Sequence, residues 1–192
     1  MDDAADRVHP ETADAWRAWL AENHTRATGV WFVSWKQHTG RPIVPYDAAV
    51  TEALAFGWVD SKAVRLDDDR SMLWYSPRRP KSGWSRPNKE RVARLLAEGR
   101  MAPAGQRMVD LAQESGTWSL LDDVENLIVP DALAEAFAAL PEAQAHWESF
   151  PRSVRRGLLE WIVQAKRPET RANRVREIAE RAAKGERANQ WR

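Results

Sequence analysis

The chain has no cysteine, four histidines and two tyrosines among its 192 residues. Without cysteine there is no disulfide framework, thiolate nucleophile or Cys-based zinc site. His9, His24, His38 and His146 follow no metal-binding spacing, so no metal and no cofactor is expected. The sequence lacks a GxxxxGKS/T loop, a GxGxxG turn, an HExxH helix and a GxSxG elbow, which removes the familiar routes to nucleotide binding, zinc hydrolysis and serine catalysis. No stretch of 18 apolar residues occurs, and the opening "MDDAADRVHPETADAW" is acidic and polar, without the apolar centre of a signal peptide. A soluble, cytoplasmic protein is the expectation.

Eleven tryptophans stand against four phenylalanines. Indoles in such number are expected chiefly to fill the core, with a few half-exposed ones able to line a pocket. At 43% hydrophobic and 30% charged, the chain has the composition of a globular protein. Net charge is only +1, yet it runs in blocks: −4 over residues 1–74, +6 over 75–100, −8 over 101–150 and +7 over 151–192. Basic blocks that alternate with acidic ones argue against a uniformly basic nucleic-acid binder.

The periodicities predict an α+β fold. Thr12 can cap a helix to Asn23, with Trp16, Trp19 and Leu20 on one face. "VWFVSWKQ" alternates like a strand, and "WVDSKAVRL" and "SMLWYSP" read as a hairpin turning at "DDDR". Between them, Asp47 is placed to cap an apolar helix that Gly57 ends. From Ser85 onward the pattern is helical, with Pro103, Pro130, Pro141, Pro151 and Pro168 near helix starts and a frayed tail after Gly185. The expected architecture is a small antiparallel sheet of about three strands packed with helices, followed by a mostly helical C-terminal half. An α+β part over 1–116 and a helical part over 117–192 are expected to pack as one unit.

Two basic strings stand out. "YSPRRPKSGWSRPNKERV" carries six basic residues and one acid between Tyr75 and Val92. Arg78 and Arg79 offer forked donors, Lys81 a third charge, and Ser82 and Asn88 short polar groups. Trp84 adds a flat apolar face, and Ser85 stands at a helix start, where free N–H groups favour an anion. These cations meet either an external anion or acids of their own chain. In "AKRPETRANR", Lys166 precedes a helix on which Arg167, Arg171 and Arg174 share a face, and an ordinary solvated helix would look the same. "FGWVDS" places Trp58, Asp60 and Ser61 where a helix hands over to a strand. Asp60 there either pins a turn or faces a pocket. The aspartates of "DDDR" lack the spacing of a calcium loop and read as a solvated turn.

The strings "ALAFGWVDS", "YSPRRPKSGWSRPNKERVARLLAEGRMAPAG" and "WIVQAKRPETRANRV" resemble the YdeI/OmpD-associated (OmdA-type, bacteriocin-protection) family, over about Trp16 to Ile178. The resemblance implies a tie to resistance against bacteriocins or cationic antimicrobial peptides and a YdhG-like N-terminal part. It brings no agreed catalytic set. Where many relatives carry cysteine before the "FGW" element, Ala55 stands here, which excludes a thiol-based role at that point.

The leading expectation is a small binding protein for a phosphate- or carboxylate-bearing molecule. Arg78, Arg79, Lys81, Ser82, Trp84 and Ser85 supply one wall and Trp58 and Asp60 the floor, with Ser61 and Asn88 as further candidates for ligand binding. Lys166, Arg171 and Arg174 supply a second wall if the C-terminal helix folds back over the sheet. One alternative is an enzyme with Asp60 as general acid or base. Another is nucleic-acid binding through the basic blocks and exposed tryptophans.

Overall fold

Thr12 caps the first helix: its backbone is extended, and its hydroxyl accepts the Ala15 N–H at 3.1 Å. The structure, a computed structural model, describes residues 7–189. Two units divide the chain, Met1–Trp118 and Ser119–Arg192.

In the N-terminal unit, β1 (Arg7–Val8), β2 (Val30–Trp35), β3 (Trp58–Arg65) and β4 (Arg70–Pro77) form one sheet in the order β1-β2-β4-β3. β3 and β4 are the expected hairpin, and β2 pairs antiparallel with β4 through Phe32↔Leu73 and Val30↔Tyr75. The fourth strand is a correction. Two residues are too few to show alternation, and β1 pairs parallel with β2, which makes the sheet mixed rather than wholly antiparallel. His9 packs its ring 4.9 Å from Trp35. A bulge between Asp60 and Ala63 re-aims the middle of β3.

One sheet face carries Val30, Phe32 and Tyr75 into a core shared with α1 (Ala13–Asn23) and α2 (Tyr46–Ala55). Trp16 sits at its centre, with its ring 5.1 Å from Phe32 and 5.2 Å from Tyr75. Seven of the ten α2 residues are buried, which fits its alanine-rich sequence. Gly57 leaves α2 with φ +77°, a conformation that side chains resist. Then follow α3 (Arg86–Ala97) and α4 (Pro103–Glu114). At Gly105, α4 comes so near the end of α2 that a Cβ would stand 2.3 Å from the Ala55 carbonyl oxygen.

Asp47 does not cap α2. The helix starts at Tyr46, two residues earlier than such a cap would place it, and Asp47 lies inside its first turn. There its carboxylate accepts Arg91 Nε at 2.9 Å and Arg94 Nη2 at 2.8 Å, which ties α2 to α3. Partial burial pushes this carboxyl up, but the two guanidinium groups together hold it below the usual aspartate range. The stability this adds is present above the unfolded pKa of about 3.9 and is lost as pH falls through the lower folded value. Asp47→Asn should therefore reduce stability by less than about 1 kcal/mol at pH 7, since the pair is solvent-screened. In urea titrations the gap from the parent should narrow as pH falls below about 3.9.

The C-terminal unit holds α5 (Asp122–Glu125), α6 (Asp131–Ala138), α7 (Pro141–Ser149), α8 (Arg152–Val163) and α9 (Pro168–Ala183). Leu133, Phe137, Trp147, Leu159 and Ile178 fill its core, and α9 packs against α6, α7 and α8. The tail corrects the expected fraying in part: Ala188 is buried in this core, while residues 190–192 lie outside the described ones. Among the described residues no helix is long and apolar enough to cross a membrane.

Candidate functional site

The basic loop begins where β4 ends. The Arg78 N–H donates to the Gly57 carbonyl at 2.9 Å, which locks the strand exit to the turn after α2. The Arg78 side chain then folds back on its own loop. Nη2 donates to the carbonyls of Gly83 and Ser82, and the guanidinium lies 3.8 Å from the Trp84 ring centroid. Trp84 is itself buried and packs on Trp118 at 5.1 Å, so it is a platform within the core rather than an open wall.

Arg78 is only 6% exposed. Its Nε is buried without a hydrogen-bond partner, and no carboxylate pairs with it among the described residues. Burial pushes its pKa down to about 10, so it remains a cation at neutral pH. Other sheltered guanidinium groups differ: Arg91 meets Asp47, and Arg156 meets Glu125 at 2.7 Å.

The neighbours divide in role. Arg79 and Lys81 are exposed beside the loop. The Ser82 hydroxyl donates to the Arg79 carbonyl at 2.7 Å. Ser85 stands at the N-cap of α3 without a side-chain capping bond, so the cap expected there is backbone only. Asn88 accepts from Arg91 at 2.9 Å. Trp58 is fully buried, with its indole N–H on the His24 carbonyl at 3.0 Å, and belongs to the core. Asp60 accepts the Tyr46 hydroxyl at 2.8 Å, and no ion pair joins it to Arg78 among the described residues. Ser61 is exposed at the bulge.

The second basic string lies in the C-terminal unit. Lys166 and Arg171 line a groove of about 580 Å³ between α6 and α9, joined by Arg176 over a floor of alanines, Leu140 and Val175. Arg174 turns away: its guanidinium sits 4.9 Å from the Trp161 ring and donates to the Trp161 carbonyl. The shared helix face of Arg171 and Arg174 is thus split between a groove and an aromatic neighbour. Among the described tryptophans none is fully exposed; Trp19, Trp31, Trp35, Trp74, Trp118 and Trp161 are half-buried.

Sequence reasoning passed over Tyr46 and Tyr75. They are the only tyrosines in the chain. Tyr46 bonds to Asp60, and Tyr75 is the cross-strand partner of Asp60. That scarcity was the available signal.

No curated protein and no solved structure matches the chain. Residues 8–108 match a domain of unknown function, DUF8412, and residues 126–185 match the family described as bacteriocin-protection, YdeI or OmpD-associated. "WIVQAKRPETRANRV" falls inside the second match, whereas "ALAFGWVDS" and the basic loop fall inside the first. The chain therefore belongs to the DUF8412 family, and its C-terminal helices carry a bacteriocin-protection, YdeI or OmpD-associated domain.

Proposed function

We propose that this protein binds an anionic small molecule, bearing phosphate or carboxylate, at the Arg78 loop of its N-terminal unit. The observation that carries the reading is a charged guanidinium, 6% exposed, with no carboxylate partner among the described residues. A buried cation without a counter-charge is held at an energetic cost, and that cost is relieved when an anion arrives. Arg79 and Lys81, exposed on the same turn, add attraction for an approaching anion. The Lys166, Arg171 and Arg176 groove offers similar chemistry in the C-terminal unit. A role in protection against bacteriocins, as the name of the matched domain suggests, would then run through such a ligand.

The test is Arg78→Met, which keeps apolar bulk over Trp84 and removes the charge. Replacing a poorly compensated buried charge by an apolar side chain is often neutral, so stability without ligand should stay within about 1 kcal/mol of the parent. Pyrophosphate at constant ionic strength should stabilise the parent, by about 2.7 kcal/mol at a hundredfold excess over Kd. The variant should lose that gain in thermal-shift and calorimetric titrations. An equal gain in both proteins would exclude Arg78 as the anion site.

A further inference from the structure

The N-terminal unit contains a second feature, independent of Arg78, which is not among its lining residues. A cavity of about 610 Å³ opens between the helix-facing side of the sheet and the segment leading into α2. Phe32 and Leu73 form its floor, and Ile43, Val44 and Pro45 its opposite side. Tyr75 lines it and is fully buried, yet its hydroxyl has no hydrogen-bond partner. A buried hydroxyl left unpaired is unfavourable, and native proteins pair most such groups. The cavity is large enough for a small molecule.

The lining also says which molecule. It contains no charged side chain; its polar groups are the hydroxyls of Ser34, Ser71, Tyr46 and Tyr75, the Gln37 amide and the Trp35 indole N–H, which donates to Glu11. Tyr46 spends its proton on Asp60. The Tyr75 phenol is held protonated first by burial and then by the Asp60 carboxylate and Tyr46, so it offers a donor. Arg91, the guanidinium that acts electrostatically on Tyr75, is committed to Asp47 and Asn88. An anion entering here would meet the Asp60 charge, whereas a neutral oxygen acceptor would satisfy the Tyr75 hydroxyl.

We propose that this cavity binds an uncharged, largely apolar molecule through a carbonyl-type oxygen that accepts the Tyr75 hydroxyl. Neither matched family description assigns such a site.

Prodan, an uncharged aminonaphthalene ketone whose emission moves to the blue in apolar surroundings, is a direct probe. It should bind the full chain saturably. Tyr75→Phe removes only the unpaired hydroxyl, so the fold should persist by circular dichroism while prodan affinity drops about tenfold, the scale of one lost hydrogen bond. Ala63→Trp, on the exposed rim of the cavity, should block binding without touching the core. An anionic aminonaphthalene sulfonate should compete poorly. The proposal is overturned if the parent fails to bind prodan, if both variants bind it as the parent does, or if the sulfonate binds more tightly than prodan in a Tyr75-dependent way. Arg78→Met should leave prodan binding unchanged, which separates this site from the anion site.

Discussion

Trp16→Ala should destabilise the N-terminal unit by about 3–5 kcal/mol, the scale for removing a buried aromatic side chain. Trp16 has no exposed surface and contacts Trp19, Phe32 and Tyr75 at centroid distances of 5.1–5.2 Å. Its indole N–H donates to the Ala49 carbonyl at 3.0 Å, so it joins α1 to α2 and both to the sheet. Against a total stability of about 5–15 kcal/mol, the loss leaves a marginal unit. Urea titration should show a lower midpoint with an unchanged slope if only stability has moved. Prodan binding should fall as well, because Tyr75 loses the ring that backs it. Trp16→Phe, which keeps part of the packing, should lie between the two. A midpoint for Trp16→Ala equal to that of the parent would contradict this account of the core.

The second large effect concerns Glu52, a carboxylate in the middle of α2 whose side chain is 3% exposed. Arg17 of α1 meets one oxygen at 2.7 Å, and Arg100, just after α3, meets the other. Arg17 also donates to the Arg100 carbonyl at 2.8 Å. The two cations are 30% and 42% exposed, so water reaches them but not the acid. Replacing both arginines by alanine leaves a buried carboxylate uncompensated and should reduce stability by about 3–5 kcal/mol. Glu52→Gln should cost clearly less, because the released guanidinium groups can hydrate. Denaturant titrations of the two variants give the comparison. If Glu52→Gln proves the more damaging, the electrostatic reading of this triad fails.

Local signals in the sequence correspond to local features of the fold. Thr12 names a helix start because a hydroxyl there reaches an N–H three residues on. The alternation in "VWFVSW" and the polar tip "DDDR" mark β2 and the hairpin because a strand shows its two faces within six residues and its turn within four. What escaped the sequence was non-local or too short. β1 has two residues and is a strand only because β2 lies beside it. Glu52 looked like an ordinary helix residue until arginines 35 positions before it and 48 after it came to its carboxylate.

The sites follow the same division. Composition alone picks out the basic loop, since six cations with three prolines in eighteen residues are conspicuous. It does not say where each cation points. Arg78 is buried over Trp84 while Arg79, one residue on, is exposed; adjacent residues in a turn reach opposite environments, and only the path of the backbone assigns them. Likewise the groove takes Arg171 and leaves Arg174 to Trp161.

By itself, then, the sequence determined the helices, the hairpin, the family strings and the absence of cysteine chemistry, all set by neighbours within a few residues. The tertiary structure alone decided that Arg78 is buried with no carboxylate partner among the described residues, and that Tyr75, whose buried hydroxyl is unpaired, lines a cavity. Burial and pairing depend on which distant segments close around a side chain. Tyr46, Asp60 and Tyr75 come from α2, β3 and β4, and meet only when the sheet and helix pack.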